Sequence, residues 1–178
     1  MKYAEELKKA MTWLGEKDDT IFLGQAVGFP GTAITGTLVD IDKSKLIEMP
    51  VNEDMQMGIS FGMSLNGTVP ITIFPRWNFL VLASNQILNH IDKVNEMTDH
   101  GYKSNVIIRT SIGSQRPLHP QHQHVDDFTE GFKLLCKNIE VIRLDEPEQI
   151  FEAYQHAYNR KDNKSTILAE WGDYYNEK

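Results

Sequence analysis

Short β-rich runs alternate with helical patterns along this chain, and that alternation limits the possible folds more than any other feature. Ile21–Leu23, Lys45–Glu48, Val69–Phe74, Asn105–Thr110, Ile139–Leu144 and Thr166–Trp171 read as strands. Helical spacing separates them. Tyr3, Leu7, Ala10, Met11 and Leu14 share one stripe of a helix over Tyr3–Gly15. Further helices are expected after Asn52, from about Phe79 to Met97, over Phe128–Leu135, and after Asp145 as an N-cap with Pro147 in the first turn. No hairpin signal joins neighbouring strands and no repeat is present. Six strands alternating with helices predict a three-layer α/β/α domain around a mostly parallel six-stranded sheet.

Composition narrows the classes further. A length of 178 residues, 40% hydrophobic and 24% charged, describes one globular domain. The longest apolar runs fall far short of the roughly 20 residues of a membrane span. The start, MKYAEELKKA, carries no apolar signal core, so a cytoplasmic protein with no membrane association is expected. A net charge of −7 with no basic stripe argues against nucleic acid as a partner. The single cysteine, Cys136, sits in an apolar stretch and reads as a core thiol.

Ligands of parallel sheets bind outside the carboxyl ends of the strands. Three chemistry-bearing segments follow strands and so fall along that edge: Pro50–Asp54, Pro75–Phe79 and Ser111–His124. In the first, Asn52 is a plausible N-cap, and Glu53 and Asp54 occupy the first turn, where the helix dipole favours negative charge. Gly58 and Gly62 follow on one face, at a cost of about 1 kcal/mol each relative to alanine. Taken alone, this is either a capped helix with loose packing or a helix that another backbone or a ligand approaches closely. The second segment, Phe74–Phe79 (FPRWNF), offers two aromatics and an amide as a platform for a flat ring, or as ordinary core. The third holds His119, His122 and His124 in HPQHQH. Its spacing matches no closed zinc site, so no metal is assigned, and proton transfer or substrate orientation by His122 fits better. The glycine-rich loop Gly24–Gly31 lacks the Walker lysine and the Rossmann glycine order, and reads as a flexible connection.

Together these segments resemble the pyrimidine domain of thiamine-diphosphate-dependent enzymes. The pattern is Glu53, four residues, Gly58, Ile59, two residues, Gly62, with Met63 where the wider signature often has glutamine. The likeness covers nearly the whole chain, from YAEELKKAM and TIFLGQAVG through MPVNEDMQMG, FPRWNFLVLASNQILN and PQHQH to TILAEW. It is nearest to the N-terminal domain of 2-oxo acid dehydrogenase β subunits, and is shared with transketolases. The resemblance implies that Glu53 hydrogen-bonds the pyrimidine ring nitrogen of thiamine diphosphate and favours its imino tautomer. It implies that Phe79 packs against the aminopyrimidine, that Asn78, Trp77 and Val51 line its pocket, and that His122 is the active-site histidine. His119 and His124 receive no role.

In that family a second domain, marked by Gly-Asp-Gly, holds the diphosphate and its Mg2+. No Gly-Asp-Gly occurs here. Residues 1–178 are therefore expected to form a single pyrimidine-binding domain, without the diphosphate-binding or C-terminal transketolase-type domains. The resemblance implies a partner subunit carrying Gly-Asp-Gly and the Mg2+, a homodimer contact through the Gly58/Gly62 face within a heterotetramer, and a small-molecule 2-oxo acid substrate. Half of a split transketolase, a catalytically silent regulatory domain and a free-standing metal-binding protein using HPQHQH are the alternatives.

Overall fold

The computed structural model describes residues 2–30, 32–116, 118–162 and 164–175. Six parallel strands form one sheet: β1 (Thr20–Gly24), β2 (Leu46–Glu48), β3 (Val69–Ile73), β4 (Ile107–Ile112), β5 (Glu140–Leu144) and β6 (Thr166–Trp171). Their order across the sheet is β2-β1-β3-β4-β6-β5. Helices lie on both faces, so the strands are buried on two sides and carry apolar residues at successive positions. The two-residue period sorts them. Along β4, Ile107 joins one core and Ile108 the other; along β6, Leu168 and Ile167 divide the same way.

The first core packs α1 (Tyr3–Gly15) and α7 (Pro147–Asn159) on the sheet through Leu7, Met11, Leu14, Ile150 and Tyr154. The second is built on Phe74, Trp77, Leu80, Ile87 and Phe132. It draws on α3 (Glu53–Leu65) through Met57, and on α4 (Trp77–Leu80) and α6 (Thr129–Leu135). The remaining short helices are α2 (Ala33–Gly36) and α5 (Val94–Met97). Full burial of each such apolar side chain contributes about 1.5–3 kcal/mol.

Three local expectations are corrected. The helix expected from about Phe79 to Met97 is broken into α4, a 3-10 turn at Val81–Ala83, a π-helical turn at Gln86–Ile91 and α5. The wide turn ends where the Asp92 N–H donates to the Ile87 carbonyl at 2.9 Å. The Asp92 carboxylate is buried and accepts the main-chain N–H groups of Lys137, Asn138 and Ile139, which draws the helix toward the start of β5. Helix α7 is capped by Glu146 in a reciprocal pair with Gln149, while Asp145 binds Arg143 and the Trp171 indole. The loop after β1 is pinned: Ala26, Val27 and Gly28 donate their N–H groups to the Glu48 carboxylate at 2.7–2.9 Å. The amides that a phosphate would need are therefore already satisfied within the chain.

One buried feature escaped the sequence reading. Arg109, fully buried in β4, pairs with Glu170 of β6 through two hydrogen bonds of 2.6 and 3.0 Å. Thr37, Tyr175 and Tyr154 complete the hydrogen bonding of this pair. Cys136 is buried as expected, and burial, reinforced by the Asp92 carboxylate, pushes its thiol up to about 12. At neutral pH it is a protonated core residue.

Candidate active site

The sheet's carboxyl edge collects the segments that follow each strand. Gly24, at the end of β1, has φ +156°, and a Cβ there would stand 2.3 Å from the Ile73 carbonyl oxygen. Glycine is thus required where β1 and β3 run side by side into their loops. Gln25 follows it, and its amide Nε2 donates to the Glu53 carboxylate at 3.4 Å.

Glu53 opens α3. Asn52 caps the helix, its Oδ1 accepting the Met55 N–H at 2.9 Å, as the sequence predicts. The cap and the helix dipole set a carboxylate at this end of the helix. Glu53 is only 6% exposed, yet its one hydrogen bond among the described residues is the long one from Gln25. A turn later, Gln56 is fully buried; its Nε2 donates to Thr72 Oγ1 and the Ile73 carbonyl, while its Oε1 has no partner among the described residues. Val51, two residues before Glu53, is 79% exposed.

The segment after β3 lies across from the segment after β4. Trp77 is fully buried against Phe132, ring centroids 5.0 Å apart, so in this chain it supports the platform from below. Asn78 and Phe79 are half-buried above it. The Phe79 ring lies 5.1 Å from the His124 ring, tilted by 33°. Asn78 Nδ2 donates to Asp126 Oδ2 at 3.0 Å, and Arg76 Nη1 donates to the His124 carbonyl at 2.7 Å. His122 and His119 are exposed on the same loop, and His119 Nδ1 accepts the Gln121 N–H. His124, to which the sequence assigned no role, is the histidine that meets the aromatic platform. Arg76 was missed because nothing in its local pattern shows that it reaches a loop 48 residues away.

The donor set fits an aminopyrimidine. Such a ring presents a nitrogen to be bound, an amino group that donates, and two flat faces. Glu53 offers a sparsely bonded carboxylate. Asn78 Oδ1, an acceptor, and His124 Nδ1, which donates or accepts with its tautomer, are buried with no partner among the described residues, and Phe79 offers a ring face. No group of three or more His, Cys, Asp or Glu side chains that could hold a metal occurs among the described residues. Among the described residues, no helix is long and apolar enough to cross a membrane.

The glycine face of α3 differs from a tight intrachain contact. A Cβ at Gly58 would meet the Gln86 amide at 3.7 Å, an ordinary distance, and at Gly62 it would meet nothing within 4 Å. Met55 and Ile59 are exposed on the same helix.

Residues 1–175 match the family model of the transketolase pyrimidine-binding domain. The chain is 27% identical over 136 residues to the mitochondrial pyruvate dehydrogenase E1 component subunit beta of Saccharomyces cerevisiae, covering 74% of this chain and 37% of that protein. It is 25% identical over 117 residues to the 2-oxoisovalerate dehydrogenase subunit beta of Bacillus subtilis, covering 64% and 36%. It thus spans little more than a third of these curated relatives. Among solved structures, a split-gene transketolase described as an inactive beta4 tetramer superposes with a TM-score of 0.72 at 16% identity, over 94% of this chain and 50% of that one. With the sheet order and the site at its carboxyl edge, the match over residues 1–175 places this chain in the transketolase pyrimidine-binding domain family.

Proposed function

We propose that the chain is the pyrimidine-binding subunit of a two-chain thiamine-diphosphate-dependent enzyme acting on a 2-oxo acid. Bound thiamine diphosphate supplies a thiazolium carbon that attacks a carbonyl, and the protein supplies position and electrostatics. The observation that carries the reading is Glu53, a buried carboxylate at a helix start with a single, long hydrogen bond among the described residues. Its free acceptor capacity suits it to hold a proton at the pyrimidine ring nitrogen, where a dry interface strengthens the bond. Phe79 packs on one ring face, and Asn78 Oδ1 is placed to accept from the amino group. His122, exposed on the loop beyond β4, is positioned to exchange a proton with substrate. Val51 lines the outer rim, and Trp77 acts through the residues it supports.

The diphosphate and its Mg2+ fall to a partner subunit carrying Gly-Asp-Gly, and α3 packs against a second copy through its bare face within a heterotetramer. In this proposal the chain is a single pyrimidine-binding domain working in the cytoplasm. The split-gene transketolase neighbour supports ketol transfer as the second reading of the reaction. A silent regulatory role is disfavoured because Glu53, Phe79 and His122 are all retained. The test is Glu53→Gln in the enzyme reconstituted with its partner, thiamine diphosphate and Mg2+. Turnover should fall by about a thousandfold, at the upper end for losing one positioned charged group, with assembly unchanged by size-exclusion chromatography. Full activity in this variant refutes the assignment.

A further inference from the structure

Beside the aromatic platform lies a cavity of about 170 Å3, lined by Arg76, Ser111, Ser114, Thr32 and Gly172 among others. It opens where the segments after β3, β4 and β6 meet. Its walls are tightly set: a Cβ at Gly172 would stand 2.9 Å from the Ser114 main-chain nitrogen, and Ser111 Oγ donates to the Pro75 carbonyl at 2.6 Å.

Arg76 is the cation of this cavity. Its Nη1 is committed to the main-chain carbonyls of His124 at 2.7 Å and Ser114 at 3.4 Å, which fixes the plane of the guanidinium. Nε and Nη2 have no acceptor among the described residues, and no carboxylate lies within ion-pair distance of Arg76 among them. Those two nitrogens form the side-on fork that matches two oxygens of a carboxylate or phosphate. Asp173, the opposing charge that acts on Arg76, uses Oδ1 to accept the main-chain N–H groups of Gln115 and Arg116. Burial pushes the guanidinium below its ordinary range, and Asp173 offsets this only in part. A half-buried cation with a fixed plane, only partly balanced by Asp173 and with two nitrogens unused among the described residues, has spare capacity for an anion.

We propose that this cavity binds an anionic group of the substrate, a carboxylate or phosphate remote from the reacting carbonyl, through the Nε/Nη2 fork of Arg76. The proposal rests on the reading above that a carbonyl substrate is transformed at this edge, and it narrows the substrate class to compounds with a second anionic group. Through the Arg76–His124 bond, the subsite is also joined to the platform on which the ring of the cofactor would rest.

The probes are inorganic phosphate and succinate, titrated into the 15N-labelled chain at ionic strength matched with sodium chloride. Binding is followed by calorimetry and by the Arg76 Nε–H resonance. At least one probe should bind saturably and shift that resonance. Arg76→Gln should weaken it by about tenfold or more, and Arg76→Lys, which keeps the charge and loses the fork, by a smaller factor. The tighter probe distinguishes a phosphate-bearing from a carboxylate-bearing substrate. Should Arg76→Gln unfold, the lysine variant and the wild-type resonance decide. Absence of saturable binding, or equal binding by all three chains, overturns the subsite. Glu53→Gln should bind both anions as the parent chain does. Failure of the cofactor reading would therefore leave this titration intact, and the converse also holds.

Discussion

Phe79 and His124 stack with ring centroids 5.1 Å apart, joining the segment after β3 to the loop after β4. Two polar contacts reinforce the join, Asn78 to Asp126 and Arg76 to the His124 carbonyl. The loop that carries His122 is thereby fastened at one end to the residues that would hold the cofactor ring. An aromatic pair of this kind is worth about 0.5–1.5 kcal/mol. His124 Nδ1, however, is buried without a partner among the described residues, and its removal gives back part of that energy. His124→Ala should therefore shift the thermal midpoint by no more than about 3 °C. It should nonetheless raise amide exchange severalfold over residues 119–126, leaving β3 and β4 protected. Mass-spectrometric hydrogen exchange checks this, and unchanged exchange in the loop would remove the stack as its fastening.

The bare face of α3 separates stability from assembly. Inside this chain neither Gly58 nor Gly62 needs to be glycine, because a Cβ at either meets no contact closer than 3.7 Å. Each substitution to alanine should stabilise the isolated chain, by up to about 1 kcal/mol in urea unfolding. If a second copy packs on this face, the added methyl groups obstruct it. Gly58→Ala/Gly62→Ala is expected to weaken self-association by tenfold or more in sedimentation velocity while the unfolding midpoint rises. A variant more stable and equally associated would locate the contact elsewhere.

Which parts were legible follows from the range of the interactions. Strand and helix patterns are local, so all six strands and their alternation could be read from Ile21, Val69, Asn105 and their neighbours. The Asn52 cap is a three-residue event, and it placed Glu53 correctly at the helix start. Arg109 is different. It lies in a run of isoleucines, and its partner Glu170 is 61 residues away, so no spacing rule connects them. Arg76, bound to a loop 48 residues on, was hidden for the same reason. The glycines of α3 were conspicuous in sequence, but what approaches them was not legible there, and within the described chain a Cβ at Gly58 would come no nearer than 3.7 Å to the Gln86 amide.

The Arg109–Glu170 pair gives a stability prediction of large size. Both side chains are fully buried, and removing one leaves the other charge without compensation. Arg109→Met should destabilise the chain by about 3–5 kcal/mol, whereas Arg109→Met/Glu170→Met, which removes both charges, should cost much less. Urea unfolding of the two variants measures the difference. A double variant as unstable as the single one would show that the tyrosine and threonine contacts, not the ion pair, dominate.

Asp92 sets an acid limit on the fold. Burial alone would raise the pKa of its carboxyl, but the Lys93 ammonium and the three amides at the start of β5 outweigh this and hold it below the ordinary aspartate value. As pH falls, the unfolded chain therefore takes up this proton before the folded chain does. The stability due to Asp92 is fully present above about pH 4 and is lost as pH drops through the lowered folded-state value. Asp92→Asn keeps the shape, removes the titration, and weakens three bonds to a charged acceptor, for a cost of about 1.5–3 kcal/mol at neutral pH. Unfolding free energies of the two chains, measured by urea titration from pH 7 downward, should differ most at neutral pH and converge in acid. A gap that stays constant with pH would place the acid sensitivity on other carboxylates.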